Sequence, residues 1–224
     1  MSREKRTIAG VTDKAMRTIV FATANPGKIR EAQEILGEGF RLITPAEMGI
    51  TEEIPETGKT LQENSLQKAE YLYERLGCDC FADDTGLEVD MLGGAPGVHT
   101  ARYGGKGRDF NANMDKLLGE MARKEQEWAA DAGKAEGGEL PRTARFRTSV
   151  TLILNGEKHF FNGIMEGTIA RSKAGCGGFG YDPVFQPAGK GGLTAAEISE
   201  DEKNAISHRG KALRAMAAFL REQA

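Results

Sequence analysis

The chain has 224 residues, which suits one large domain or two small lobes with ample length for a hydrophobic core. Its formal net charge is −3, so we expect no broad basic face and no nucleic-acid partner. No run approaches the roughly 18 apolar residues of a membrane span, so no membrane partner is expected either. The three cysteines lack zinc or redox spacing, which favours reduced thiols in a cytoplasmic protein.

The N-terminal part of the chain alternates strand and helix patterns. We expect residues 1–16 to form a flexible extension. Residues 17–23 are a β-branched apolar run typical of a strand buried on both faces, and residues 40–44 predict a second strand. A helix with a single apolar face begins near Lys28, between these two strands.

A short polar loop joins the first strand to the first helix: Thr23, Ala24, Asn25, Pro26, Gly27 and Lys28. A helix N-terminus presents unpaired N–H groups and the positive end of its dipole, which favours an anion. Lys28 adds a charge close by, although the G-x-x-x-x-G-K-[ST] spacing of a Walker A loop is absent. The loop is either a phosphate cradle or an ordinary turn that uses Asn, Pro and Gly for their backbone preferences.

The clearest helix pattern of the N-terminal half spans residues 60–76. Thr60 and Glu63 form a capping-box pattern at its start, so we interpret Glu63 as a helix cap rather than a ligand. Lys68 lies just off the apolar face of this helix. It is either a solvated lysine or a cation that reaches a cleft between lobes.

Two adjacent carboxylates, Asp83 and Asp84, follow the apolar residues 80–82. We interpret Thr85-Gly86 as a turn, after which residues 87–91 alternate like a further strand. Because side chains alternate along a strand, the two aspartates should face opposite ways. Acidic groups at a strand end are typical of metal and phosphate sites in α/β folds, although a polar turn would carry the same residues.

The C-terminal half predicts a helix, a hairpin and a final helix. Residues 110–121 have a helical apolar stripe, and the polar, glycine-containing segment 124–142 predicts a surface loop or an insertion without regular structure. Residues 144–164 predict a hairpin that turns at Asn155-Gly156. Residues 194–224 predict the last helix. The overall prediction is an α/β fold with a mixed sheet.

Five motifs occur in one order along the chain, namely TANPGK at 23–28, ETGKTLQENSLQKA at 56–69, ADDTGLEVDMLGGAPGVHTARYGG at 82–105, GFGYDPVF at 178–185 and EKNAISHRGKAL at 202–213. Together they closely resemble the inosine triphosphatase family, purine nucleoside triphosphate pyrophosphatases that remove ITP, dITP and XTP from the nucleotide pool. The resemblance runs from about Arg17 to the C-terminus. It implies an elongated mixed β-sheet with flanking helices and two lobes around a central cleft, so residues 17–224 should form one domain.

The resemblance also implies a homodimer and a Mg²⁺-dependent reaction. In the implied reaction, water attacks the α-phosphorus and releases pyrophosphate and a nucleoside monophosphate. The implied Mg²⁺ ligands are Glu56 and Asp84, and Asp84 also looks like the base that takes a proton from the attacking water. Glu52 and Glu53 compete with Glu56, which the following Thr-Gly pair favours. Asp83 remains either a second ligand or a structural acceptor.

Substrate contacts are likewise assigned by resemblance. The loop 23–28, with Lys28, and the side chains of Lys68 and Lys203 are assigned to phosphate binding. Thr85 is also assigned to the substrate, because it keeps a hydroxyl where the family often has serine. The base falls to Phe179, Gly180, Tyr181, Asp182, His208 and Arg209. An aromatic ring between glycines can stack on a purine, and cationic or N–H donors favour the 6-oxo group of hypoxanthine and xanthine.

Two other functions fit the same motifs less well. One is a pyrophosphatase of the Maf type acting on dTTP or UTP, a related family without the SHR-containing motif. The other is a nucleotide-binding protein that kept the cleft and lost the chemistry. Without the flanking motifs, His208 and Arg209 would be interpreted as solvent-facing residues at a helix start.

Overall fold

A computed structural model describes residues 16–131 and 140–223, so the predicted extension lies outside the described residues apart from Met16. Within these ranges the chain forms seven strands and five α-helices. The strands are β1 (Arg17–Phe21), β2 (Phe40–Ile43), β3 (Cys80–Val89), β4 (Pro96–Gly97), β5 (Thr143–Leu154), β6 (Glu157–Ile169) and β7 (Phe185–Pro187). The helices are α1 (Pro26–Leu36), α2 (Leu61–Leu76), α3 (Phe110–Ala130), α4 (Glu200–Ile206) and α5 (His208–Glu222). Among the described residues, no helix combines the length and the apolar character that crossing a bilayer requires.

The strands form one mixed sheet in the order β2-β1-β3-β5-β6-β7, with β4 on the free edge of β3. β1 runs parallel to β2 and β3, whereas the pairs from β3 through β5 and β6 to β7 are antiparallel. The predicted mixed α/β fold is therefore confirmed.

Helices cover the centre of the sheet on both faces. Ile19, Phe21 and Phe81 pack with α1 and α5 on one face, and Val20 and Cys80 pack with α2 on the other. This two-sided burial explains why β1 is a continuous apolar run rather than an alternating one. At the far end of the sheet, α3 packs on the same face as α5.

Among the described strands, none pairs with one stretch of β3 on one of its two sides. Its parallel pairing with β1 ends at Phe81, and its pairing with β4 begins at Leu87. Between these points, residues 82–86 pair with β5 on their other side. On the side opposite β5, no described strand pairs with residues 82–86. We call the space beside these residues on that side the sheet opening.

The predicted turn at Thr85-Gly86 is wrong, because β3 continues without interruption. All ten residues of β3 pair with β5, from Cys80 opposite Ile153 to Val89 opposite Ala144, and this ladder overrides the local turn preference. Gly86 serves close packing instead. A Cβ atom there would lie 2.7 Å from the carbonyl oxygen of Gly97 on β4.

The predicted loop at 124–142 is also wrong at its start, since α3 extends to Ala130. Arg123 forms an i,i+4 ion pair with Glu127, which supports the additional helical turns. Residues 132–139 of the predicted insertion lie outside the described residues.

The predicted C-terminal helix starts later and is divided in two. Ser199 and Glu202 form a capping box that begins α4, and Ser207 ends α4 and caps α5. Thr194 lies before the helices, and its hydroxyl donates to the carbonyl of Ala174. The predicted hairpin at Asn155-Gly156 is confirmed, and both turn residues have positive φ, 52° and 86°.

Candidate active site

The loop from β1 to α1 is a well-formed helix cap. The side-chain oxygen of Asn25 accepts hydrogen bonds from the N–H groups of Gly27 and Lys28, at 2.8 and 3.4 Å, and Pro26 follows at the first helical position. The hydroxyl of Thr23 accepts from the N–H of Asn25 at 3.1 Å. Asn25 therefore already binds two of the amides that a phosphate would use, and Lys28 is the charged group that the loop supplies.

Asp83 is the acceptor that holds two of the predicted substrate-binding cations. It is 1 % exposed, and its oxygens lie 2.9 and 2.8 Å from Nζ of Lys28 and 3.3 Å from Nε of Arg209. Burial alone would raise the pKa of this carboxyl, but the neighbouring cations outweigh it and hold the pKa well below its usual range. These contacts favour the structural role of Asp83 over that of a metal ligand.

Asp84 faces the opposite side of β3, as side-chain alternation predicted. Its carboxylate accepts from Nδ2 of Asn64 and from the N–H of Thr85, both at 3.0 Å, and lies 3.8 Å from Nζ of Lys68. Burial raises its pKa more than Lys68 and Asn64 lower it. Asp84 is consequently a better proton acceptor than an ordinary aspartate.

Lys68 joins the two predicted metal ligands. It is 7 % exposed, and its ammonium donates to the carboxylate of Glu56 and, at 2.7 Å, to the main-chain oxygen of Asp83. Burial alone would lower the pKa of Lys68, but the surrounding carboxylates, Asp84 foremost, raise it, so the side chain stays charged. Glu56 and Asp84, from separate segments, thus share one cation.

The acidic residues that competed with Glu56 point elsewhere. Glu52 accepts from the hydroxyl of Tyr71 at 2.7 Å, and Glu53 pairs with Arg102 at 3.2 Å. Glu63 caps α2 by accepting from the N–H groups that precede the helix, as predicted. Glu56 is therefore the carboxylate of this segment that meets Asp84.

This donor set fits a magnesium ion that is completed by other ligands. Among the described residues, no group of three or more His, Cys, Asp or Glu side chains is arranged to hold a metal. Mg²⁺ is usually bound by one or two carboxylates, with waters and substrate phosphates completing its octahedron. Two carboxylates that already meet at one ammonium, those of Glu56 and Asp84, provide such a set.

The predicted base-binding loop exposes one aromatic ring and buries its other large side chains. Phe179 is 60 % exposed, whereas Asp182 is buried and accepts from the N–H of Phe179 at 2.7 Å and from Lys203 at 2.5 Å. Lys203 lies 4.7 Å from the Phe179 ring centroid. Tyr181 is buried and its hydroxyl donates to the carbonyl of Thr100. Asp182 and Tyr181 therefore shape the loop, which leaves Phe179 available to a base.

Glycine is required beside this ring. At Gly178, where φ is +72°, a Cβ atom would lie 2.1 Å from a carboxylate oxygen of Asp182. Gly180 also has a positive φ, 66°. These two residues let the backbone turn around Phe179 while Asp182 holds its N–H.

His208 and Arg209 begin α5, and both side chains are engaged. The His208 ring stacks on Phe146 at 4.9 Å, and its Nδ1 is buried with no hydrogen-bond partner among the described residues. Burial and the neighbouring cations, with Arg209 first among them, lower the pKa of His208 to about 3. Arg209 binds Glu31 at 2.9 Å in addition to Asp83. Neither residue is a solvent-facing cap.

The predicted site residues fall into three groups. Lys28, Arg209 and Asp83 meet on the α1 and α5 face of the sheet, and Thr85, on that face too, bonds to Thr148 at 2.7 Å. Glu56, Lys68 and Asp84 meet on the α2 face. Phe179, Asp182 and Lys203 form the third group. The first two groups border the sheet opening, because Asp83 and Asp84 belong to it.

Sequence reasoning missed Asn64, which bonds to Asp84, and Glu31, which bonds to Arg209. Asn64 lies four residues before Lys68, a spacing that places both side chains on one helix face. That spacing was the available signal. Nothing in the sequence pairs Glu31 with a residue so distant in the chain.

Residues 19–219 match the family model described as the Ham1 family. The dITP/XTP pyrophosphatases of Flavobacterium psychrophilum and Porphyromonas gingivalis are 45 % and 46 % identical to the chain, over 91 % and 92 % of it and 98 % of each relative. The Bacillus subtilis protein of the same name is 42 % identical over 92 % of the chain and 98 % of its own length.

Two solved structures are similar in fold. A HAM1 protein from Coxiella burnetii superimposes with a TM-score of 0.82 at 35 % identity, covering 92 % of this chain and all of that one. A nucleoside-triphosphatase / dITP/XTP pyrophosphatase from Mycobacterium abscessus gives a TM-score of 0.72 at 39 % identity, over 91 % of this chain and 98 % of that one.

Proposed function

The chain belongs to the Ham1 family, and from this membership and the geometry of the sheet opening we propose that it hydrolyses non-standard purine nucleoside triphosphates. The substrates are ITP, dITP and XTP, and the products are the nucleoside monophosphate and pyrophosphate. The observation that carries the proposal is the convergence of Glu56, Asp84 and Lys68 beside the cations Lys28 and Arg209. This activity removes such nucleotides from the pool from which DNA and RNA are made.

Phosphate binding falls to the cations that border the sheet opening. Lys28 is held by Asp83 on one face, and Lys68 is held by Glu56 on the other. A triphosphate chain crossing the opening would meet positive charge from both sides. Prearranged charge of this kind is the main protein contribution to phosphoryl transfer.

Asp84 is proposed as the general base. Its carboxylate is held by Asn64 and Thr85, so it is oriented to take a proton from water. Glu56 and Asp84 would hold Mg²⁺, which when bound neutralises phosphate charge and acidifies coordinated water. Transfer of the proton to Asp84 accompanies attack of the oxygen on the α-phosphorus, and pyrophosphate leaves.

Base selection is proposed at Phe179, His208 and Arg209. The exposed Phe179 ring can stack on the purine, a contact worth about 1–3 kcal/mol per base. The guanidinium of Arg209 can donate to a 6-oxo group but not to the 6-amino group of adenine, whose N–H would remain unpaired. The depressed pKa of His208 keeps its imidazole neutral near pH 7.

The test is a substrate panel with product identification in ¹⁸O water. ITP, dITP, XTP, GTP, UTP and dTTP are incubated with the protein and Mg²⁺, and the products are analysed by mass spectrometry. We expect IMP carrying one ¹⁸O and unlabelled pyrophosphate from ITP. Label in the pyrophosphate, or release of IDP and orthophosphate, would contradict attack at the α-phosphorus, and a preference for UTP or dTTP would favour the Maf-type activity.

Three further features are proposed from the family resemblance. The family resemblance supports a homodimer, a single domain of two lobes and a location in the cytoplasm, where free nucleotides are consumed. Light scattering coupled to size-exclusion chromatography tests the dimer directly. A monomer that retains full activity would show that the site is complete within one chain.

A further inference from the structure

Asn64 connects the two segments that carry the proposed magnesium ligands. It lies on α2, is 4 % exposed, and both ends of its amide are bonded. Its Nδ2 donates to a carboxylate oxygen of Asp84 at 3.0 Å, and its Oδ1 accepts from the N–H of Gly58 at 2.7 Å. Gly58 follows Glu56 by two residues. The amide therefore ties Asp84 to the loop that holds Glu56.

The loop packs closely against α2 at Gly58. A Cβ atom on Gly58 would lie 2.6 Å from Cβ of Glu63 and 2.9 Å from Oδ1 of Asn64. The bond to Gly58 also fixes the orientation of the amide. With Oδ1 engaged by an N–H donor, Nδ2 is the end that faces Asp84.

Among the described residues, Asp84 has one other neutral hydrogen-bond donor, the N–H of Thr85, and that contact reaches the other carboxylate oxygen. Asn64 thus determines how the carboxylate is rotated about the Thr85 contact. A metal ion demands its ligands within narrow distances, so this rotation decides whether Asp84 and Glu56 can share an ion.

We propose that Asn64 is a positioning residue that aligns the Asp84 carboxylate and the Glu56 loop toward one divalent cation. The inference rests on the proposed function, of which it specifies the metal site. The Asn64 amide forms hydrogen bonds with Asp84 and Gly58. It acts through the two carboxylates that would hold the ion.

The chain offers a matched control in Gln67, which anchors the same loop from the same helix. Its Oε1 accepts from the N–H of Thr57 at 2.8 Å, and its Nε2 donates to the Thr57 hydroxyl at 3.0 Å. No hydrogen bond joins Gln67 to Asp84 among the described residues. Gln67→Leu therefore loosens the loop and leaves the Asp84 contact in place.

The first measurement is the affinity for Mn²⁺, determined by electron paramagnetic resonance. It is made in the presence of α,β-methylene-ITP, a nucleotide that cannot be cleaved. Asn64→Leu should weaken Mn²⁺ binding about 10–100-fold, the usual effect of removing a group that orients metal ligands. Gln67→Leu keeps the Asp84 contact, so it should weaken Mn²⁺ binding clearly less than Asn64→Leu does. Equal affinities for the two leucine variants would overturn the proposal.

Asn64→Asp removes the contact with Asp84 and keeps the contact with Gly58. It is the second variant to measure in case Asn64→Leu fails to fold. Its carboxylate is isosteric and still accepts from the N–H of Gly58, but it cannot donate to Asp84. We expect it to lose Mn²⁺ affinity and kcat, with KM for ITP changed less than kcat. Wild-type Mn²⁺ affinity and kcat in Asn64→Asp would mean that the contact with Asp84 positions nothing.

The same set of measurements distinguishes failure of this inference from failure of the proposed function. A wild-type protein that releases no pyrophosphate from any purine triphosphate contradicts the proposed function. A wild-type protein that does so, while Asn64→Leu matches Gln67→Leu in both Mn²⁺ affinity and kcat, contradicts only the role of Asn64.

Discussion

The ammonium of Lys28 lies against both carboxylate oxygens of Asp83, at 2.9 and 2.8 Å, although the two residues are 55 positions apart. This contact assigns the two adjacent aspartates to different tasks. Asp83 is engaged with Lys28 and Arg209 on one face of β3, whereas Asp84, on the other face, lies near Lys68 and Asn64.

Asp84→Asn should abolish turnover and preserve nucleotide binding. The amide cannot take a proton from water, and loss of a general base costs about 10²–10⁴-fold in rate. Pyrophosphate release from ITP measures the first effect, and calorimetric binding of α,β-methylene-ITP the second. Asp90→Asn is the control, because Asp90 lies just beyond the same strand and binds Arg145 instead. Wild-type turnover in Asp84→Asn would remove Asp84 as the base.

Asp83→Asn should destabilise the fold as well as weaken substrate binding. Removing one partner of a buried ion pair costs about 3–5 kcal/mol, and we expect the lower end because Lys28 remains partly accessible. Urea denaturation gives the free energy of unfolding, and KM for ITP should rise because Lys28 and Arg209 lose their shared acceptor.

The control for that change is Asp79→Asn. Asp79 precedes β3 and pairs with Arg17 at 2.8 Å, but both side chains are partly exposed. Such pairs contribute about 0–1 kcal/mol, so this variant should lose little stability and keep the wild-type KM. Equal losses of stability in the two variants would show that Asp83 is no more important than a surface pair.

Lys68→Met should make the protein depend on divalent cations for its stability. The change leaves Glu56 and Asp84 facing each other without the ammonium they share, so Mg²⁺ in the millimolar range should raise the melting temperature of the variant more than that of wild type. Differential scanning fluorimetry with and without EDTA measures this. Lys59→Met, at an exposed position, should respond as wild type does. If Mg²⁺ raises the melting temperature of Lys68→Met no more than that of wild type, Glu56 and Asp84 do not share a cation position.

Phe179→Ala should weaken nucleotide binding without affecting stability. The ring is 60 % exposed, so its removal leaves no cavity, while loss of base stacking should raise KM by a factor corresponding to about 1–3 kcal/mol. Phe110→Ala removes another exposed ring, 47 % exposed at the start of α3, and should leave KM unchanged. An unchanged KM in Phe179→Ala would place the base elsewhere.

His208 should make the fold less stable as the pH falls below about 6.5. Its pKa is lowered from 6.5 to about 3 in the fold, so between these values the unfolded chain binds a proton that the folded chain does not. Stability is therefore lost as the pH falls through this window, by at most about 1.4 kcal/mol per pH unit from this residue. Urea denaturation between pH 7 and pH 4 measures the slope.

His208→Gln should reduce that slope, because glutamine does not titrate. His159→Gln provides the comparison, since His159 also contacts an aromatic ring, that of Phe219, but at the far end of the hairpin. The His159→Gln variant should keep the contribution that His208 makes to the slope of stability against pH. If the wild-type slope persists in His208→Gln, the imidazole does not stay neutral in the fold.

Local sequence signals predicted most elements correctly because local chemistry determines them. The capping box at Thr60 and Glu63 and the turn at Asn155-Gly156 need only neighbouring residues to form. The turn predicted at Thr85-Gly86 was wrong for the opposite reason, because distant residues determine the conformation there. A ten-residue ladder with β5 keeps these residues extended, and β5 is more than 50 positions away.

The sequence by itself determined the family, the α/β class and the residue types of the site, because ordered motifs and apolar periodicity are properties of the chain. It also determined that Asp83 and Asp84 point to opposite faces, since alternation follows from strand geometry. Only the tertiary structure decided which aspartate meets which partner, that Lys68 joins Glu56 to Asp84, and that Asn64 lies between their segments. Those contacts depend on how α1, α2 and α5 pack around β3, and packing between distant segments is not encoded in any local pattern.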